Sequence, residues 1–196
     1  MSDENLNPII QFEEWFKLAS SKEINDPNAM CLSTLSSDNK PHSRMVLLKD
    51  FSEDGFVFYS NYESNKGKEI TSNSNVCINF HWKSLLRQIR IEGIIEKLSE
   101  EVSDEYYNSR HYLSRIGAWA SDQSRIIKGR EELEKKIEYY KKEYPKKNKV
   151  PRPPYWGGYL IKHKRIEFWQ DMPHRVHKRQ VFEIQDKVWN SFILSP

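Results

Sequence analysis

The sequence predicts a mainly β protein, a closed or split antiparallel barrel with helices set around it (α+β). Three observations carry this. Six to eight short β-forming runs are separated by turn residues. The helical patterns between them follow no regular strand–helix–strand alternation, which argues against a doubly wound parallel sheet. Aromatic residues make up 13% of the chain, a level that favours β-rich packing and flat-ligand sites over a plain helical bundle. The 196 residues are read as one domain spanning 1–196, long enough to bury a full core, with 1–7 as a flexible N-terminus.

The elements follow in order. Asn7-Pro8 supplies a cap followed by proline at the first helical position, and Phe12, Trp15, Phe16 and Ala19 continue at helical spacing to about Ser21. Strands are expected at Ala29–Leu35, Ser43–Phe51 and Phe56–Ser60, each closed by a turn cluster such as Ser36–Pro41 or Ser52–Gly55. Ser64–Asn73 reads as a short helix, Val76–Trp82 as a strand, and Gln88–Leu98 as a strand with Gly93 at a bulge or close approach. Ser99 opens a helix to about Ser109, with Glu100 and Glu101 in its first turn. Leu113–Ser121 is a short helix and Ser124–Tyr144 a long charged one, followed by a proline- and lysine-rich loop over Lys146–Pro154. The last strands fall at Gly158–Lys162, Arg165–Trp169, Arg179–Gln185 and Val188–Ile193.

Bulk properties exclude several classes. The net charge of +3 is too small to argue for nucleic acid, and the lysines of 128–149 alternate with glutamates as on a solvated helix face. No apolar run approaches the roughly 18 residues of a membrane span, and the polar start MSDENLNP is not a signal peptide. Cys31 and Cys77 sit in strand-like runs and read as free thiols of a reducing cytoplasm. GxGxxG, Walker, CxxC and HExxH motifs are absent.

The chemistry concentrates in residues 155–179, YWGGYLIKHKRIEFWQDMPHRVHKR. Aromatic faces beside guanidinium forks suit a planar, anionic ligand. His174 and His177 lack a third ligand by spacing, and the flanking Arg175 and Arg179 repel a cation, so no metal is expected. Upstream, Arg44 and Lys49 bracket Met45–Leu48. Alternation sends Arg44, Val46 and Leu48 to one face and Met45, Leu47 and Lys49 to the other. An edge strand with charged ends would read the same way. Tyr59 and Ser60 lead into Ser64–Lys68, where a helix start plus Lys66 makes an anion site or an ordinary cap. Gln88, Gln123 and Ser124 begin predicted elements; the amides can read the uracil-like edge of a flat ring or simply serve turns. Tyr106, Arg110 and Ser114 are spaced i, i+4, i+8, and would form a phosphate cradle if one helix ran through them.

Eight motifs occur in order: RMVLLK (44–49), FYSN (58–61), RQIRIEG (87–93), YYNSR (106–110), IGAWASDQS (116–124), PPYWGGY (153–159), IEFWQ (166–170) and HRVHKR (174–179). Together they resemble the pyridoxine/pyridoxamine 5'-phosphate oxidase family, from about Pro8 to Pro196. The resemblance implies a split β-barrel that works as a homodimer with FMN at the subunit interface. It implies FMN contacts at Arg44, Val46, Leu47, Lys49, Tyr59, Ser60, Lys66, Gln88, Gln123, Ser124, Trp169 and Arg179. The substrate phosphate would sit among Lys49, Tyr106, Arg110 and Ser114, with Arg175 and His177 as the catalytic pair at the reacting end. The implied reaction converts pyridoxine or pyridoxamine 5'-phosphate to pyridoxal 5'-phosphate with O2 as acceptor, giving H2O2. Arg175 would orient and stabilise charge, because guanidinium stays protonated; His177 would handle the proton. Two alternatives share the motifs: a related flavoprotein oxidising a phenazine-type ring, and a non-catalytic binder of flavin or pyridoxal phosphate. The chain departs from the family pattern at Asn65 (usually arginine), at Asp171-Met172-Pro173 (often glycine), and at Lys178 (usually aspartate). With seven residues before Pro8, an N-terminal lid is expected to be absent or supplied otherwise.

Overall fold

A computed structural model describes residues 7–147, 149–186 and 188–196. The expected flexible segment falls outside these residues except for Asn7, whose side chain accepts from the Ile9 amide at 2.9 Å and caps the first helix. Among the described residues are five α-helices: α1 (Pro8–Lys22), α2 (Asn65–Ser72), α3 (Glu100–Ser109), α4 (Tyr112–Ala120) and α5 (Arg130–Glu143). Nine strands accompany them: β1 (Ala29–Leu35), β2 (Pro41–Leu47), β3 (Asp50–Ser52), β4 (Gly55–Asn61), β5 (Asn75–Trp82), β6 (Arg87–Lys97), β7 (Trp156–Gln170), β8 (Lys178–Gln185) and β9 (Val188–Ile193).

The strand order β2-β1-β5-β6-β7-β4-β3 explains the shape. Its two ends, β2 and β3, are consecutive in sequence, so the chain itself joins the sheet's edges through Leu48 and Lys49. The Leu48 amide donates to Asn28 O beside β1, and the Lys49 amide donates to Val57 O of β4, both at 2.8 Å. Strand β7 makes the split. One of its edges carries β6 along Tyr159–Gln170; the other carries β4 along Trp156–Ile161 and β8 along Arg165–Gln170. All pairings are antiparallel, and the result is the split barrel with peripheral helices that the sequence predicts.

The core follows from the alternation of residue types. Met30 and Leu32, Ile78 and Phe80, Ile89 and Ile91, and Phe56 and Phe58 point inward and are fully buried. Helix α1 closes one end by inserting Phe12, whose ring meets Phe51, Phe56 and Phe80 edge-on at centroid distances of 4.8–5.4 Å. Burying such aromatic rings contributes on the order of 2–3 kcal/mol each.

Three elements differ from the sequence expectation. The run Ser43–Phe51 breaks at Leu48-Lys49, because there the chain leaves the β1 pairing and enters that of β4. The expected strands Gly158–Lys162 and Arg165–Trp169 are one strand, β7, with Lys164 as an extra residue opposite Glu92/Gly93. Gly93 permits that bulge, since a Cβ there would stand 2.2 Å from Lys162 O. The long helix begins at Arg130, not Ser124; Ser124 has a φ of 71°, which ordinary residues adopt in turns rather than helices.

Candidate active site

The end of β4 and the start of α2 build the first half of the site. Ser64 donates to Asn61 O at 2.7 Å and receives the Gly67 amide, so the strand turns directly into the helix. Gly67 is required by close approach, because a Cβ there would lie 2.0 Å from Tyr62 O. This turn draws Lys66 inward, where its ammonium donates to Ser64 Oγ at 3.0 Å and to Gln123 Oε1 at 2.8 Å. Burial, assisted by the Arg44 charge and opposed by Glu69, lowers the Lys66 pKa to about 8. Arg44 itself is held by Glu69 at 3.0 Å, by His42 O at 3.0 Å, and by Thr34. Burial alone would raise the Glu69 pKa, but hydrogen bonds from Thr34 and His42 and the charge of Arg44 outweigh it and hold Glu69 below the ordinary carboxylate value.

Lys66 opens onto a cavity of about 480 Å³ lined also by Val46, Leu47, Lys49, Tyr59, Ser60, Tyr106, Arg110, Ser114, Gln123 and Trp156. Tyr59 and Tyr106 stack at 3.7 Å, and Trp156 continues the same orientation 5.7 Å from Tyr59. Burial, with smaller effects from Tyr106 and nearby carboxylates, pushes the Tyr59 hydroxyl up to about 12, so it remains a donor at neutral pH. The Arg110 guanidinium lies 4.4 Å over the Trp156 ring, and one of its terminal nitrogens is buried without a hydrogen-bond partner. No carboxylate lines this cavity. Three cations, several hydroxyls and an orphaned guanidinium nitrogen fit phosphate groups. Tyr106, Arg110 and Ser114 meet here although α3 ends at Ser109 and α4 begins at Tyr112, so a helix–helix corner, not one helical face, assembles them.

The second half lies at the β6 start, the β7 end and the following turn. Register places Gln88 beside Trp169 and Trp169 beside Arg179. The His177 ring lies 4.7 Å from Trp169, and its Nδ1 is 2.8 Å from the Asp171 carboxylate. Arg179 is ion-paired to the buried Glu167 at 2.7 Å, which raises its pKa, and it also donates to Ser195 O. Glu167 shows the counterpart: burial would raise its pKa, but the bond from Arg179 and the charges of Arg179, Arg90 and Arg165 bring it below the usual range. Arg175 is exposed on a turn where it and His174 both adopt positive φ, 64° and 60°. His177 and Arg179 line a separate cavity of about 730 Å³ with Trp15, Phe168, Met172 and residues 193–196.

Two regions of the chain match family models: residues 17–143 match pyridoxamine 5'-phosphate oxidase, and residues 156–196 match the pyridoxine 5'-phosphate oxidase C-terminal dimerisation region. A pyridoxine/pyridoxamine 5'-phosphate oxidase of Pelagibacter ubique (strain HTCC1062) is 50% identical over 194 residues, 98% of this chain and 93% of the relative. The chain belongs to the pyridoxamine 5'-phosphate oxidase family. The Bartonella quintana (strain Toulouse) oxidase of the same name is 53% identical over 175 residues, 89% of this chain and 84% of the relative. Among solved structures, PhzG from Burkholderia lata 383, in complex with tetrahydrophenazine-1-carboxylic acid, superposes with a TM-score of 0.91 at 27% identity, covering 99% of this chain and 95% of that one. A pyridoxamine 5'-phosphate oxidase-related, FMN-binding protein of Nostoc punctiforme PCC 73102 shares the fold, with a TM-score of 0.77 at 16% identity and 98% and 100% coverage.

As a member of the oxidase family, the protein uses FMN and pairs with a second copy of itself. The two cavities of one protomer share no lining residue. Ten of the expected site residues line the first cavity: Val46, Leu47, Lys49, Tyr59, Ser60, Lys66, Tyr106, Arg110, Ser114 and Gln123. Arg44 stands behind that cavity's wall, bound to Glu69, and Ser124 lines a small adjoining cleft. Gln88, Trp169, His177 and Arg179 gather in the second half; Arg175 is exposed on the adjoining turn and lines neither cavity. Sequence reasoning missed three groups. Trp156 forms the aromatic floor under Arg110, and only its place in PPYWGGY hinted at it. Glu69, three residues after Lys66 on the same helix, holds Arg44. Asp171 stood out as a departure from the family pattern, but nothing in its spacing identified it as the partner of His177. Among the described residues there is no cluster of three or more potential metal ligands, and no helix is long and apolar enough to cross a membrane.

Proposed function

We infer that this protein oxidises pyridoxine 5'-phosphate and pyridoxamine 5'-phosphate to pyridoxal 5'-phosphate, with FMN as cofactor and O2 as acceptor. The observation that carries this reading is the carboxylate-free cationic cavity with the orphaned Arg110 nitrogen, in a chain about half identical to named oxidases of these phosphates along nearly its whole length. Bound FMN supplies the redox chemistry, accepting two electrons with a hydrogen from the 4′ carbon and passing them to O2 as H2O2.

The residues do the rest. Lys66, with Ser60, Tyr59 and Gln123 around it, holds the FMN phosphate end; Val46 and Leu47 pack against the flavin, and Arg44 adds charge from behind, fixed by Glu69. Ser124 contributes from the turn after Gln123. Lys49, Tyr106, Arg110 and Ser114 take the substrate phosphate. Gln88, Trp169 and Arg179 of the partner protomer complete the flavin site, because none of them lines the Lys66 cavity in their own protomer. Arg175 and His177 face the substrate's 4′ group, Arg175 orienting it and His177 exchanging the proton. Holding the two rings in this register is the main catalytic contribution of the protein. The chain acts as a single FMN-binding domain in the cytoplasm, where Cys31 and Cys77 stay reduced as the free thiols seen.

PhzG keeps a second reading open for the ring substrate, on fold and 27% identity alone. One experiment separates the two. The FMN-loaded protein is mixed anaerobically with pyridoxamine 5'-phosphate. Flavin bleaching that reverses in air, with pyridoxal 5'-phosphate formed, is the expected result. A flavin that stays oxidised with both B6 phosphates but bleaches with a reduced phenazine precursor would reject the B6 assignment.

A further inference from the structure

We propose that Asp171 is a positioning residue for His177: its carboxylate keeps a hydrogen on Nδ1 and so leaves Nε2 as the nitrogen that exchanges a proton with substrate. The proposal rests on the reading of His177 as the proton-handling residue and says how that residue is held to its task.

Two contacts make opposite demands on Nδ1. Asp171 Oδ1 lies 2.8 Å away and can only accept, so Nδ1 must carry a hydrogen. The Met172 backbone N–H lies 3.3 Å away and would donate, which needs a lone pair on the same nitrogen. One nitrogen cannot satisfy both. The carboxylate contact is shorter and involves a charged acceptor, so it sets the tautomer. Met172 is partly exposed, and its N–H is left to water.

The dyad is braced on both sides. The Asp171 amide donates to Leu86 O at 2.9 Å, tying the turn to the segment before β6. The imidazole lies against Trp169, with the two rings inclined by 39°, and is only 18% exposed. The other charged groups nearby are the cations Arg175, Lys178 and Arg179. Glu167 is already committed to Arg90 and Arg179. Helix α1 brings Gln11 and Trp15 to this cavity, and residues 193–196 bring no charged side chain. Among the described side chains, Asp171 is the carboxylate in contact with the ring.

During turnover the O–H or N–H bond at the substrate's 4′ substituent breaks and its proton forms an N–H bond at Nε2. The hydride leaving the 4′ carbon is taken up by bound FMN. With the alcohol this gives the aldehyde directly; with the amine it gives an imine that water hydrolyses to the aldehyde, releasing ammonia. The resulting imidazolium lies beside the Asp171 carboxylate, and its added proton returns to water after product leaves.

The test uses nitrogen-15 NMR of the histidines in the FMN-free dimer, with His177 assigned by its loss in His177→Ala. In the unsubstituted protein the neutral ring is expected to carry its hydrogen on Nδ1. In Asp171→Ala it should move to Nε2. With FMN loaded, Asp171→Ala should lower kcat by roughly tenfold or more with little change in KM. Asp171→Asn keeps the turn and still offers an amide oxygen, so it should keep the tautomer and lose only the charge effect. A hydrogen on Nε2 in the unsubstituted protein overturns the proposal. So does an unmoved tautomer in Asp171→Ala while His177→Ala loses turnover. Normal turnover in His177→Ala instead rejects the role of His177 itself, and that of Asp171 with it, whatever the NMR shows.

Discussion

Lys66 is placed at a cost to the empty protein, and replacing it should separate cofactor affinity from fold stability in opposite directions. The ammonium is 9% exposed, and burial depresses its pKa from 10.5 to about 8. That depression corresponds to ~3 kcal/mol between the charged and neutral forms, of which roughly half remains after solvent screening. The sign follows from proton counting. Between pH 8 and 10.5 the folded state binds fewer protons at this lysine than the unfolded state, so this group makes stability rise with pH through that window. Below pH 8 the penalty is fully present. Lys66→Met fills most of the same volume without the charge. Ser64 keeps its bond to Asn61 O, and the exposed Gln123 turns to water. The FMN-free variant should therefore gain about 1 kcal/mol, or roughly 2–4 °C in Tm, and lose the alkaline rise contributed by this residue.

The same substitution removes a charge-assisted bond to phosphate worth about 1.5–3 kcal/mol, so the FMN Kd should increase roughly 10- to 150-fold. In the unsubstituted protein a bound phosphate holds the proton on Lys66. FMN affinity should then be fullest below pH 8 and fall as pH rises through the higher pKa of the complex. The assays are chemical unfolding of the FMN-free protein from pH 7 to 10 and flavin fluorescence quenching across the same range. A variant destabilised by more than about 1 kcal/mol, or one with unchanged FMN affinity, would refute the argument that Lys66 is a desolvated cation kept for an anion.

Arg110→Met should raise the KM for pyridoxamine 5'-phosphate by roughly 10- to 100-fold while FMN binding holds, since the orphaned nitrogen is assigned to substrate; an unchanged KM in steady-state assays would remove it. Gly67→Ala forces a Cβ to 2.0 Å from Tyr62 O, so it should lower stability by about 1–3 kcal/mol or more and release FMN, as thermal unfolding and flavin loss would show. Mixing inactive Lys66→Ala and His177→Ala proteins after joint refolding should restore roughly a quarter of full activity. Half the dimers would be mixed and each would hold one intact site; no recovery would mean that both residues serve from the same protomer.

Much of this architecture was legible because turn chemistry and alternation are local. Gly55, the Ser36–Pro41 cluster and the alternating isoleucines of Gln88–Leu98 placed strands within a residue or two of β4, β1 and β6. The misses share a physical cause: each depended on a neighbour distant in sequence. Nothing around Leu48 signals that its amide will bond Asn28 while the next one bonds Val57. The run from Gly158 to Trp169 looks broken at His163-Lys164 because an extra residue interrupts the alternation. It is continuous because Gly93, on another strand, leaves room for the bulge. At the site, residue types were readable but their pairing was not. A basic or aromatic residue announces a possible contact; its partner emerges only when the sheet brings Glu167 under Arg179 and Asp171 beside His177.

The fork at β7 gives these separate facts one origin. A single long strand pairs with β4 at one end and β8 at the other, so it carries Trp156 to the cationic cavity and Trp169 to the His177 ring. Its fifteen residues span roughly 50 Å at about 3.3 Å each. A strand that long lets neither cavity of one protomer collapse onto the other. On the proposed reading, a flavin held by Lys66 takes its tryptophan and histidine from a second protomer. Dimerisation is then part of the site's construction rather than an addition to it. Substitutions in the 156–196 dimerisation region that weaken self-association should lower FMN affinity in step with dimer dissociation, even where no altered residue touches either cavity.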